Sequence, residues 1–313
     1  EFRARAGALL NEIASISKTL WLNKNFPESK KAKHFLSAPE WVAYSLGAEI
    51  VNELSLVSRT GFFDVESRKP WEEAIALVSG SKDYLGRLVV AGEPIGIVNN
   101  QGPENLRGAV ITIAGHDHFT AAYYCGAINE GSLFDSMGTA EALLRTFKAP
   151  LTRGAIAELA AANVGLSCSV IADHYTLLGA LPTGLTLERA CALVGVATRE
   201  EKIALGEAAL KIDPSASAMR VVNDYHGLSV TNLDDAVSPA ALFRATVEHL
   251  VDDSSEMVAL IEKFTGKAQN VVIAGGWINN PVIAAAKEKQ YGSFRVSDAT
   301  EAGATGAAEF AGI

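Results

Sequence analysis

Asp117 lies in the run Gly115-His116-Asp117-His118, after the apolar residues 110–114 and before an Ala- and Tyr-rich stretch from Phe119. A carboxylate at a strand end, beside a glycine, is placed to take a proton from a hydroxyl. Aspartate is also a preferred helix N-cap, and on position alone that bland role is the stronger one. Gly138-Thr139 closes the run 132–137. Backbone N–H groups and a hydroxyl could approach a phosphate there, although taken singly the pair is an ordinary hairpin turn. Gly275-Gly276 ends the run 270–274. A flat ring or a phosphate could lie against such a bend, yet glycine pairs are common in turns. The pair is not part of a GxGxxG, so nothing points to a Rossmann dinucleotide site.

His116 and His118 have no neighbour at metal-ligand spacing except Asp117, so no structural zinc and no resident metal site are expected. A Ser-His-Asp hydrolase lacks its GxSxG elbow. His174 and His226 stand alone and read as satisfied surface or core groups. Trp21, Trp41 and Trp71 read as core or domain-face packing.

The elements that would hold these residues alternate in type. Residues 18–22 belong to a helix, and 39–46 form a short one stopped by Gly47. Residues 58–64 read as strand-like with an internal turn, and 103–108 as a loop. A buried strand is predicted over 110–114, a helix over 119–126, a turn at 129–131 and a strand over 132–137. Ser238 caps a long helix with Pro239 at its first position. Phe243, Val247, Leu250, Ser254, Val258 and Ile261 recur on one face, and Gly266 closes the helix. A strand follows over 270–274, then a helix opened by Pro281, a short strand over 294–296 and a small-residue helix over 302–311. This alternation indicates a mixed α/β layer arrangement.

Composition narrows the function. With 313 residues and 49% apolar content the chain can bury large cores without disulfides or metals. A net charge of −9 argues against a nucleic-acid partner. No apolar run nears the roughly 20 residues of a membrane span, so no membrane partner is expected. Cys125, Cys168 and Cys191 are unpaired by spacing and suggest a reducing, cytoplasmic setting. The opening residues 1–5 include no Met and are no signal peptide, so the chain reads as a segment of something longer.

In order along the chain, these segments resemble the FGGY family of carbohydrate kinases. Residues 18–25, K-T-L-W-L-N-K-N, resemble that family's K-x-x-W-L signature. Residues 58–64, S-R-T-G-F-F-D, with Trp71 beyond, resemble S-x-T-G-x-x-D. Gly115-His116-Asp117 is similar to its catalytic G-x-D, and Ser136-Met137-Gly138-Thr139 to its S-x-G-T phosphate loop. Arg244-Ala245 with Glu248 resembles R-A-x-x-E. Ala274-Gly275-Gly276 with Asn280 resembles the adenosine turn, and 303–308 the closing G-A-A helix.

The resemblance implies two actin-like (ribonuclease H-like) domains around a cleft, the first incomplete. Residues 1–128 would be the C-terminal part of domain I and 129–313 domain II, the nucleotide side. It implies transfer of a phosphoryl group from ATP, with Mg²⁺, to a hydroxyl of a small sugar or polyol. Asp117 would be the base and His118 would contact the sugar. Gly138 and Thr139 would hold the ATP phosphates, and Gly275, Gly276 and Asn280 would lie against the adenosine.

Some features depart from the family pattern. The N-terminal strand with its D-x-G-T loop does not precede Glu1, so the segment alone is expected to be inactive. Thr19 replaces a large apolar residue, and Ala140 a frequent Ser or Thr. The run 135–142 looks closer to xylulokinase- and fuculokinase-like branches than to glycerol kinases. A non-catalytic sugar- or nucleotide-binding relative is the alternative, and a metal-dependent hydrolase a distant third. A homodimer is allowed by the sequence, which does not determine oligomeric state or the sugar used.

Overall fold

The helix Pro239–Thr265 forms as its periodicity predicts. Ser238 Oγ accepts from the Ala241 amide at 3.2 Å and caps its start, and Gly266 ends it at φ 77°. The whole predicted face, from Phe243 through Ser254 to Ile261, is buried. Each fully buried large apolar side chain there contributes roughly 1.5–3 kcal/mol. The structure, a computed structural model, describes residues 1–213, 219–223, 226–233 and 237–312. The chain divides into two compact units. The first comprises Glu1–Gly131, Leu144–Leu178 and Thr300–Ile313, and the second Ser132–Leu143 and Gly179–Ala299.

In the second unit the strand Ser132–Met137 pairs in parallel with Asn270–Ala274, from Asn270 opposite Ser132 to Ala274 opposite Ser136. Arg295–Val296 lies on the other side of Asn270–Ala274. Within this unit the sheet order is Arg295–Val296, Asn270–Ala274, Ser132–Met137, followed by the start of the strand Glu141–Phe147. Met137, Leu187, Phe243, Val247, Ile273, Val282 and Ile283 form the apolar core that supports these strands. The helix Pro281–Tyr291 follows the glycine turn, with Pro281 in its first turn as predicted.

The first unit is built from shorter pieces. Val51–Glu53 pairs in parallel with Arg87–Val89 above a core of Ala43, Val51, Ile95, Ile111 and Ile113. A second cluster centres on Phe62, whose ring meets Tyr84 edge-on at 5.3 Å. The helix Ala38–Leu46 is opened by a capping box of Ser37 and Glu40 and stopped by Gly47 at φ 119°.

Three expectations are corrected here. The stretch 110–114 is not a buried strand: only Val110–Ile111 pairs, antiparallel to Gly96–Ile97, and Val110 is exposed. Ile111 and Ile113 are buried in alternation, the pattern of a one-faced edge. Residues 58–60 are not strand-like: they continue from the helical turn Leu54–Val57, and only Phe63–Asp64 is extended. Thr60 Oγ1 donates to the Val57 carbonyl at 2.7 Å, which winds that segment tightly. Trp71 is buried, but Trp21 and Trp41 are exposed.

Candidate active site

Asp117 is the first residue of the helix Asp117–Tyr124, and His116, not Asp117, is the N-cap. The bland capping role is therefore not the one this carboxylate has. Asp117 Oδ1 accepts the adjacent amide of His118 at 2.7 Å, and the side chain is 83% exposed. A carboxylate there is favoured by the positive end of the helix dipole and remains open to a ligand.

The loop before it is held tightly. Gly115 has φ 95°, and a Cβ there would sit 2.4 Å from Ser55 Oγ and 2.7 Å from Val170 Cγ1. Ser55 Oγ accepts the His116 amide at 2.9 Å and donates to Glu53 Oε2 at 2.6 Å. Glu53 is fully buried, and burial pushes its carboxyl up to about 7. Glu40, also buried, accepts the Glu53 amide and the Asn52 side chain. A chain of buried polar groups therefore ends on the backbone that aims Asp117.

His116 and His118 stack at 5.8 Å. His116 Nδ1 lies 3.0 Å from Asp117 Oδ1. Burial first, then the cation of Arg59, pulls His116 down to about 3, so it is neutral at pH 7. Arg59 NH1 donates to Ser167 Oγ at 3.3 Å, and the Asp117 carboxylate opposes the effect of burial on Arg59. Helix Ala302–Phe310 backs the Asp117 helix through Gly303 and Gly306. A Cβ on Gly306 would lie 2.2 Å from the Thr120 carbonyl.

The nucleotide-side candidates meet in the second unit. Gly138 and Thr139 follow the end of Ser132–Met137, and Gly275 follows the adjacent, parallel end of Asn270–Ala274. Gly275 has φ 104° and ψ 166°, and a Cβ on it would lie 2.3 Å from the Met137 carbonyl oxygen. The two turns are thus packed backbone to backbone. Ligands of open α/β sheets bind outside such carboxyl ends of parallel strands.

Gly138, Thr139, Gly275 and Gly276 are exposed, and a Cβ on Gly276 would meet nothing within 4 Å. That open space suits a ring laid on the backbone. The Gly138 amide donates to the Ala140 carbonyl at 3.1 Å, so it is used inside the turn. The Thr139 carbonyl accepts the Leu185 amide at 2.8 Å from the helix Thr183–Leu193. Gly184 in that helix allows the approach, since a Cβ would fall 1.9 Å from the Gly138 carbonyl.

Asn280 differs from its neighbours. It is 4% exposed, and its Nδ2 donates to the Lys202 carbonyl at 2.8 Å. It ties the turn to the helix Arg199–Ala209 and presents little surface to a ligand. Its Oδ1 is buried and unbonded.

Sequence reasoning singled out Asp117 and the three glycine positions but missed Glu53, Ser55 and Arg59 as supports. Ser55 lies just before the S-x-T-G-x-x-D segment and Arg59 is that segment's second residue, which was the available signal. Among the described residues, no three His, Cys, Asp or Glu are grouped to hold a metal, and no helix is long and apolar enough to cross a membrane. The three cysteines are buried, and burial pushes the Cys168 and Cys191 thiols up to about 11.

Residues 1–123 match the model described as the FGGY family of carbohydrate kinases, N-terminal domain. Gluconokinase from Bacillus subtilis (strain 168) is 26% identical over 160 residues, which are 49% of this chain and 30% of that protein. Xylulose kinase from Rhodospirillum rubrum shares the fold at a TM-score of 0.86 and 17% identity, over 100% of this chain and 65% of that one. Plasmodium falciparum glycerol kinase with ADP gives 0.84 at 17% identity, over 99% and 65%. The chain thus spans under a third of its curated relative and just under two thirds of these solved kinases.

Proposed function

We propose that this chain, which belongs to the FGGY family of carbohydrate kinases, is part of an enzyme that phosphorylates a small sugar, sugar acid or polyol with ATP. The single observation that carries the reading is the pair of adjacent strand ends where Gly138-Thr139 and Gly275-Gly276 lie bare and side by side. Residues 1–128 are read as the later part of the sugar-side domain, a reading supported by the family match over 1–123. Residues 129–313 are read as the nucleotide side.

In this mechanism Asp117 is the general base. Its exposed carboxylate takes the proton of the attacking hydroxyl, and His118 beside it contacts the substrate. His116, neutral at pH 7, adds no competing charge. Thr139 and the turn around it face the phosphates, and Gly275 and Gly276 face the nucleoside. Asn280 acts from beneath, by holding the turn. Phosphoryl transfer is largely positioning and charge stabilisation, which suits a site made of backbone turns and one base. Mg²⁺ is held chiefly by nucleotide phosphates with one or two carboxylates, so it needs no protein cage, and it would neutralise phosphate charge. The buried thiols fit a cytoplasmic setting.

The test is a panel of gluconate, ketopentoses, deoxysugars and polyols with Mg-ATP on the full-length protein. Sugar-dependent ADP release with one of them is expected. ATP binding with no turnover on any member would instead favour a non-catalytic relative.

A further inference from the structure

We propose that Lys287 is a positioning residue for the nucleotide, clamping both flanks of the 136–140 turn to the helix that leaves the Gly275–Asn280 turn. This deepens the kinase reading and rests on it for the identity of the ligand.

Lys287 has 0% exposure, as do Asp135 and Glu141. Its Nζ lies 2.8 Å from Asp135 Oδ2 and 2.6 Å from Glu141 Oε1, and donates to Ser254 Oγ at 3.1 Å. Three ammonium protons therefore meet three acceptors. Asp135 is the residue before Ser136, and Glu141 the residue after Ala140. One cation thus grips the strand entering the turn and the strand leaving it. Its own helix, Pro281–Tyr291, begins at the end of the adenosine-side turn.

The remaining contacts brace the same points. Tyr291 OH donates to Asp135 Oδ2 at 2.9 Å. Thr183 Oγ1, from the helix that touches Thr139, donates to Glu141 Oε2 at 2.6 Å, and Ser254 Oγ donates to Glu141 Oε1 at 2.7 Å.

The surroundings make this arrangement expensive unless it is used. Met137, Leu187, Val247, Leu250 and Ile283 line a cavity of about 10 Å³ against Glu141, Thr183 and Lys287. Apolar side chains of similar volume would fill such a core at equal or better stability. What they would not supply is a directional link between two strands and a helix. The two carboxylates keep Lys287 protonated against the effect of burial. Burial pushes Asp135 up to about 7, so Asp135 is the member able to accept a proton if the lysine is removed.

The test uses the full-length protein and two variants, Lys287→Met and Lys287→Met/Glu141→Gln. The single variant strands a buried carboxylate and can fail to fold. The double variant leaves no obligatory charge, because Asp135 can protonate, and it should fold with a near-normal melting temperature. ATP affinity is read by calorimetry without sugar, alongside both KM values. We expect ATP binding and the ATP KM to weaken about tenfold in the double variant, with the sugar KM within twofold. Unchanged ATP affinity in the folded double variant, or an equal rise in both KM values, overturns the proposal. A wild type that binds ATP but phosphorylates nothing overturns the kinase reading alone, and the calorimetric ratio still decides the clamp.

Discussion

Replacing Gly275 with alanine perturbs one backbone position in two ways that the geometry quantifies. At φ 104° and ψ 166° the residue lies in a region that is essentially glycine-only and costs other residues about 1–3 kcal/mol. The new Cβ would also lie 2.3 Å from the Met137 carbonyl oxygen and 2.6 Å from its carbon. These are backbone atoms of a strand paired in register through Ala274 opposite Ser136, so they cannot swing aside as a side chain would. Overpacking of this kind costs about 1–3 kcal/mol more. The total is about 4 kcal/mol, a large share of the stability of an ordinary domain. The melting temperature should fall by about 10 °C in thermal unfolding followed by circular dichroism. Gly276→Ala is the internal control: its Cβ meets nothing within 4 Å, so its melting point should hold within about 2 °C. Under the kinase reading that same methyl occupies the open space, and ATP titration should show weaker binding. Equal melting points for Gly275→Ala and Gly276→Ala would refute the claim that the two strand-end turns are packed backbone to backbone.

Glu53→Gln should change the pH dependence of stability. The folded carboxyl sits at about 7 against an ordinary 4.5, so the folded state holds its proton more firmly than the unfolded state does. The cost of ionising it appears as pH rises from 4.5 through 7, worth about 3 kcal/mol in all. Wild type should therefore lose ground to the variant between pH 5 and pH 8 in urea unfolding. A difference that does not change with pH would contradict the assignment. Gly306→Ala places a Cβ 2.2 Å from the Thr120 carbonyl, so it should loosen the helix behind Asp117. Faster amide exchange along Asp117–Tyr124 is expected, and unchanged exchange would count against that packing.

What could be read from the sequence was what repeats locally. The face of Pro239–Thr265, its serine cap and its closing glycine follow from period and end chemistry over neighbouring residues. The strands 132–137 and 270–274 and the turns after them were equally legible, since apolar runs ended by glycine need no distant partner. Long-range pairing was not. Lys287 is followed closely by Lys289, and nothing local says that the first is buried between two carboxylates while the second is exposed. Asn280 reads as a turn residue open to a ligand, yet the helix Arg199–Ala209 covers it. The pattern over 110–114 shows that the segment is apolar, but not that only its first two residues find a strand to pair with. Asp117 was placed correctly at a helix start, although the strand before it ends at Ile111, and its exchange of roles with the capping His116 depends on one residue of register.

The most direct test of the account is Asp117→Asn in the full-length protein, assayed for ATP-dependent phosphorylation and for ATP binding together. Asparagine keeps the size and the helix position but cannot accept the proton. Turnover should fall by roughly 10²–10⁴-fold, with ATP affinity within about twofold of wild type. Near-normal turnover in that variant would contradict the assignment of Asp117 as the base.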